Sequence, residues 1–357
     1  MAAMNKLRNQ ILCGDCVEIL QGNAEPFADL VFADPPFNIG YTYDQYHDRK
    51  KSGKYLAWTR DWIGACVHVL KPHGSFYIAI GDEYAAQIKL MAENEFGLTL
   101  RNWIIWHYSF GQQTKSKFAR AHTHILYFVK DAKNFVFNDE AVRVISDRQK
   151  KYNDKRANPA GKMPDDVWDE YPRICGTFRE RTGFPCQMPE SLLARIIRVS
   201  SNEGDWVLDP FSGSGTTATV AHKLKRYYTS IDVSSEYVGE AKRRIDESEG
   251  LPIEGEGNFE WTDHIDQELK WLYHENKIPT EQLESNAKLK TLFAQKLNLR
   301  LGQRKTYPSV GQVMKRLIQL RKRAKLGPLR GQPIMEYRSG KAEEPLWETG
   351  RKRKRGS

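Results

Sequence analysis

A short strand running into a glycine-rich turn and then a helix constrains this chain more than any other feature. Val207 and Leu208 end an apolar run, Asp209-Pro210-Phe211-Ser212-Gly213-Ser214-Gly215 turns the backbone, and Thr216 opens a helical pattern reaching residue 225. Glycines are needed in such a turn because the chain must bend sharply and let a ligand approach the strand end. Asp232 follows the next apolar stretch, residues 228–231, where an acidic side chain can hold ribose hydroxyls. Taken alone, Gly213-x-Gly215-x-x-Ala218 also satisfies the loose dinucleotide fingerprint, which is weak evidence by itself.

A second strand end carries less common chemistry. Residues 29–33 form a short apolar run that stops at Asp34-Pro35-Pro36-Phe37, a tetrad foreign to dehydrogenases. Leu56, Trp62, Ile63, Cys66, Val67 and Leu70 recur at helical spacing, and Lys71-Pro72-His73-Gly74 breaks that helix. Strands are expected at 75–80, 103–106, 125–129, 206–208 and 228–231, with helices at 55–70, 189–200, 215–225 and 235–247. The alternation predicts an α/β fold with a mostly parallel sheet. Residues 131–183 are polar and weakly periodic, as an insertion would be, and 248–259 has the Gly, Pro and Glu content of a linker.

The block from Phe184 to Ile245 resembles the amino-methyltransferase family, the DNA N6-adenine and N4-cytosine methylases. The resemblance rests on a Pro-x-Gln-x-Pro segment (Pro185, Gln187, Pro189), the following helix, the DPF-x-G-x-GTT turn, and the strand ending at Asp232. It spans about residues 8–250, with the tetrad first and the glycine turn last, the permuted β-type order. It implies a Rossmann-like fold dependent on S-adenosyl-L-methionine over residues 1–250, with target recognition in 131–183. The implied cofactor residues are Gln187, Asp209, Phe211, Gly213, Gly215, Thr216 and Asp232. Asp15 and Cys16 resemble a Gly-Asp-Cys element that meets the cofactor adenine. Three positions depart from the pattern: Met188 stands where a lysine is usual, Cys186 where threonine is usual, and Phe37 where tyrosine is commoner.

The resemblance makes Asp34, Pro35, Pro36 and Phe37 the catalytic set. An exocyclic amine on a base is a poor nucleophile because its lone pair is delocalised into the ring. The Asp34 carboxylate and the Pro35 carbonyl, each accepting one amino hydrogen, would pyramidalise the nitrogen and aim its lone pair at the methyl group. Prolines fix the carbonyl direction, and Phe37 offers a ring on which an extruded base stacks. N6-adenine is the expected target and N4-cytosine the alternative, because permuted cytosine enzymes more often carry Ser before Pro-Pro.

Several decoys accompany these motifs. Gly183-Phe184-Pro185-Cys186-Gln187 reproduces the nucleophile segment of C5-cytosine methylases, yet here the glycine turn follows the cysteine instead of preceding it, and the Glu-Asn-Val element is absent. Cys13 and Cys16 have CxxC spacing without a second close pair, and His122-x-His124 sits at a strand entrance, so no metal is expected. The five cysteines and the absence of a signal-like start suggest free thiols and a cytoplasmic, nucleoid-associated protein of bacterial or phage type, without a membrane partner.

Net charge is +10, and residues 260–357 hold 22 Lys and Arg against 11 Asp and Glu, so the excess is wholly C-terminal. Three helices are expected there, near 264–276, 286–298 and 309–325. The last carries Lys315, Arg316, Arg321, Lys322 and Arg323, and the set reads as a basic DNA-binding module over 260–330 before a basic tail at 331–357. Double-stranded DNA is the expected partner. The sequence leaves a homodimer and a companion restriction endonuclease open. It also leaves open a non-catalytic DNA-binding regulator and methylation of RNA or a protein glutamine.

Overall fold

The computed structural model describes residues 6–41, 44, 46, 48–112, 115–144, 161–175, 180–184, 186–249, 251, 253, 261–301, 308, 310–323, 325 and 326. Two compact units emerge, one of residues 1–142 and 164–256 and one of residues 143–163 and 257–357. The expected insertion at 131–183 is therefore shared between them.

The first unit is built on an eight-stranded sheet: β1 (Gln10–Cys13), β2 (Ala28–Ala33), β3 (Leu70–Ile80), β4 (Thr99–Gln112), β5 (Arg120–Val129), β6 (Val167–Trp168), β7 (Trp206–Asp209) and β8 (Tyr227–Asp232). Their order is β1-β8-β7-β2-β3-β5-β4-β6. The first five in that order are parallel, β5 runs antiparallel to both β3 and β4, and β6 is parallel to β4. The sheet is thus mixed, because β4 and β5 form a long hairpin where the sequence shows only two short apolar runs. Lys71–Gly74 does end the preceding helix, but these residues lie within β3, inside an irregularity where the β2 register shifts between Ala28 and Leu30.

Helices α1 (Cys16–Gln21), α2 (Ser52–Val69), α3 (Ala85–Asn94), α4 (Glu190–Ser200), α5 (Thr216–Lys223) and α6 (Ser235–Glu247) complete this unit. All six residues of β2 are buried, as a central parallel strand requires. Its side chains alternate between two cores: Leu30 and Phe32 pack with Ile196 and Ile197 of α4, while Val31 and Ala33 join Trp62 and Ile63 of α2. Each such large apolar side chain contributes roughly 1.5–3 kcal/mol by leaving water. At the N-terminal end of β2, buried Asp29 accepts the Trp206 backbone N–H at 2.8 Å, the Lys71 ammonium at 2.8 Å and a contact from His73 Nε2 at 2.9 Å. One carboxylate therefore ties β2, β3 and β7 together.

In the second unit, described residues form α7 (Asp263–Asn276), α8 (Thr280–Ser285), α9 (Ala287–Arg300) and α10 (Val310–Lys322) around Leu269, Phe293, Leu297, Val313 and Leu317. Thr262 caps α7 through the Ile265 N–H, and Asn286 caps α9 through Leu289. The three expected helical segments are occupied, and α8 is an additional short turn. Of the basic face on α10, Arg316 grips Asp266 at 2.7 Å and Arg321 pairs with Glu281, whereas Lys315, Lys322 and Arg323 are exposed. Residues 331–357, including the expected basic tail and its Arg351–Arg355 run, lie outside the described residues, as does most of the expected 251–259 linker. Among the described residues no helix is long and apolar enough to cross a membrane.

Candidate active site

β2 and β7 lie side by side in parallel register, Leu30 opposite Val207 and Val31 opposite Leu208. Asp34 directly follows β2 and Asp209 ends β7, so both motifs emerge at the same edge of the sheet, where ligands bind in open α/β folds. A cavity of about 840 Å³ opens there. It is lined by every expected site residue except Gly215: Asp15, Cys16, Asp34, Pro35, Pro36, Phe37, Gln187, Asp209, Phe211, Gly213, Thr216 and Asp232.

Gly215 serves packing instead. Its φ is +72°, and a Cβ there would stand 2.6 Å from the Ala241 Cβ, so the glycine lets α6 close on the turn. Gly213, at φ +48°, leaves room for the Phe184 ring, whose Cζ lies 2.7 Å from where a Cβ would fall. Its N–H donates to Asp232 Oδ2 at 2.8 Å, and the other oxygen of Asp232 accepts the Ser234 N–H at 2.9 Å. Phe211 is held edge-on to Trp62 at 5.2 Å. Asp15 caps α1 through the Val17 N–H at 2.8 Å. Burial, then the Asp15 charge, pushes the Cys16 thiol up to about 12, which leaves it inert.

Gln187 is engaged within its own loop. Its oxygen accepts the Thr182 N–H at 2.9 Å, and its nitrogen donates to the Glu180 carbonyl. Pro185 of the same segment lies outside the described residues. Met188, at the position where a lysine is usual, is buried in the core and lines the cavity with an apolar side chain.

Three carboxyl groups of the cavity, Asp34, Asp209 and Asp232, are held above their usual range, in a lining that also carries Lys50, Lys117, Arg120 and Arg173. Loss of hydration, followed by the Asp209 charge, holds the Asp34 carboxyl well above the usual carboxylate range. Burial raises Asp209 to about 7 against hydrogen bonds from Thr217 and the Phe211 N–H. Burial also raises Asp232. Carboxylates in this state favour a ligand that brings positive charge.

Beyond the tetrad, a network that sequence reasoning missed fixes the chain. Tyr55 Oη donates to the Pro36 carbonyl at 2.8 Å, fixing the peptide between Pro36 and Phe37. Buried Asp48 accepts four successive backbone N–H groups, from Asn38 (2.6 Å), Ile39 (3.1 Å), Gly40 (3.1 Å) and Tyr41 (3.0 Å). Asn38, in the left-handed region at φ +60°, bonds both backbone polar groups of Lys50 and the Tyr84 hydroxyl. A second missed network braces the glycine turn: buried Glu190 pairs with Lys223 at 2.7 Å and Arg244 at 3.0 Å, and Arg244 reaches the Ser214 carbonyl and Thr216 Oγ1. The only sequence trace of either network is polar residues at scattered positions on separate elements.

Two of the decoys also face this cavity. Cys186 lines it at φ +59°, and partial desolvation with the nearby Asp34 charge raises its thiol, opposite to what a nucleophilic thiolate needs. His124 Nδ1 accepts the Trp103 indole N–H at 2.8 Å, a packed imidazole, while His122 lines the cavity.

A sequence profile described as N6/N4 Mtase, DNA methylase, matches residues 28–243. The type II methyltransferase M.HpaI of Haemophilus parainfluenzae is 36% identical over 73% of this chain and 78% of its own length. The DNA adenine methyltransferase YhdJ of Escherichia coli K12 is 39% identical over 66% and 82%. The crystal structure of PvuII DNA methyltransferase (cytosine-N4-specific), 18% identical, covers 81% of this chain and 92% of its own at a TM-score of 0.53, which supports the fold. The chain therefore belongs to the N6/N4 DNA methylase family, as a DNA methyltransferase that draws its methyl group from S-adenosyl-L-methionine.

Proposed function

We propose that the chain methylates the N6 amino group of adenine at a specific DNA sequence, on a base turned out of the duplex. The observation that carries this reading is the placement of Asp34 beside Asp209 at the ends of adjoining strands, which brings an amino-group acceptor next to the cofactor turn. The adenine assignment is supported by the Asp at the head of the tetrad and by the named activity of the 39% identical YhdJ.

The residues fit the cofactor. Raised carboxyl groups around the cavity suit a ligand bearing sulfonium and ammonium charges. Asp232 would hold the ribose hydroxyls, Phe211 and Asp15 would flank the adenosine, Gln187 would shape the wall, and Gly215 would let the turn pack closely on α6 behind it. When bound, the cofactor supplies an electrophilic methyl on sulfur. Asp34 and the Pro35 carbonyl accept the two amino hydrogens of the target base, Phe37 stacks on its ring, and the Tyr55 bond keeps the tetrad backbone rigid. Removing one preorganised hydrogen-bonding partner of this kind costs about 10²–10³ in rate.

Exposed Lys315, Lys322 and Arg323 of the second unit are offered to DNA phosphates. Modification-sensitive sequencing of DNA from cells expressing the chain tests the reading. N6-methyladenine at one short motif supports it, and N4-methylcytosine overturns the adenine assignment.

A further inference from the structure

The cavity lining also holds cations, Lys50, Lys117, Arg120 and Arg173, that have no role in the chemistry above. Arg173 lines the cavity together with Trp106 and Tyr108. The segment before it is fixed: the Trp106 indole donates to the Tyr171 carbonyl at 2.8 Å, and the Trp168 and Tyr171 rings are buried beneath the Arg195 guanidinium. The Arg173 guanidinium lies 5.7 Å from the centre of the Tyr108 ring and interacts with the Cys186 thiol, which also feels the Asp34 carboxylate. Arg173 is half-buried, and among the described residues no carboxylate pairs with it.

A base whose amino group meets Asp34 and Pro35 presents its neighbouring ring nitrogen to the next part of the wall. That nitrogen, N1 of adenine or N3 of cytosine, is an acceptor. In guanine and thymine the equivalent ring nitrogen carries hydrogen and donates. A guanidinium only donates, so it complements the first pair and opposes the second. An acceptor left without a donor in a dry site costs about 1–3 kcal/mol.

We propose that Arg173 is a specificity-determining residue that donates to the ring nitrogen adjacent to the target amino group. The proposal rests on the amino-methyltransferase reading of the tetrad.

The test uses the full chain and a duplex carrying its methylation motif, with the target as adenine or as 1-deazaadenine, which lacks the N1 acceptor. Wild type should lose about 10- to 100-fold in kcat/KM on the deaza substrate. Arg173→Ala should be slow and equally so on both, with S-adenosyl-L-methionine affinity by calorimetry unchanged. Arg173→Lys, which keeps a donor, should recover part of the discrimination. An alanine variant that discriminates as wild type does overturns the proposal. So does a fall of about one in the salt slope of its DNA affinity, which would assign Arg173 to a phosphate. A wild-type chain that methylates neither an adenine nor a cytosine amino group is a separate result, and it overturns the underlying reading and this proposal together.

Discussion

Beyond the larger effect of burial, the Asp209 carboxylate raises the proton affinity of Asp34 across the gap between two adjoining strand ends. Two acids thus share one desolvated cavity, and their ionisation is linked to folding and to the binding of a cationic ligand.

The folding consequence has a definite sign. An acid whose folded pKa lies above its unfolded value binds more protons when folded, so it lowers stability as pH rises between the two values. For Asp209 that window runs from 3.8 to about 7. Asp209→Asn, which keeps an oxygen for the Phe211 N–H, should be more stable than wild type at pH 8, by roughly 4 kcal/mol at most. Below pH 4 the advantage should vanish. Thermal melts at the two pH values check this, and a variant less stable at pH 8 refutes it.

Binding runs the other way. A cationic cofactor favours ionised carboxylates, so S-adenosyl-L-methionine affinity should climb by up to about tenfold per pH unit below 7 and flatten above it. Calorimetry between pH 5.5 and 8.5 measures the slope. A flat profile would mean that cofactor binding leaves the protonation of these acids unchanged.

Asp34→Ala should bind the cofactor yet transfer methyl groups at least about 10²-fold more slowly. Cys186→Ser should change transfer little, because the thiol is raised and a covalent step is not used. Single-turnover rates with labelled cofactor separate the two variants. The opposite ranking would point to attack on the cytosine ring.

The Asp48 cap leads to a positional prediction. Asp48→Ala frees four backbone N–H groups at once and loosens the chain following Phe37. Transfer should fall by about 10²-fold, as misplacement of a reacting group does, while the core melts cooperatively. Unaltered turnover would show that the tetrad holds its shape unaided.

Lys315→Gln, Lys322→Gln and Arg323→Gln combined should reduce the slope of log affinity against log salt by about 2.7, if each neutralises one phosphate. Titration of labelled DNA at several salt concentrations reads this directly. An unchanged slope assigns the exposed face of α10 to another partner.

The legible parts of this molecule were those written in contiguous residues. Helix α6 falls at 235–247 as its periodicity predicts, and both motifs sit on strand ends because a Pro or Gly beside an apolar run fixes a local turn. Pairing direction was not legible. Nothing local to residues 103–106 or 125–129 states that β4 and β5 run antiparallel, since partners in a sheet are chosen through side-chain packing across the whole layer. The Asp48 cap and the Glu190–Arg244 brace were hidden for a related reason: a buried polar side chain looks like a solvated one until its partners are known. Gly215 meets a constraint that no local pattern states, the close approach of Ala241 on a later helix.

The Asp29 junction lies at the other end of the strand that carries the tetrad. A displacement of one residue along β2 would carry Asp34 about 3.3 Å and exchange the two faces of the strand. A carboxylate far from any substrate thereby acts as the zero mark of a ruler, and the distance from acceptor to methyl donor is read off from it.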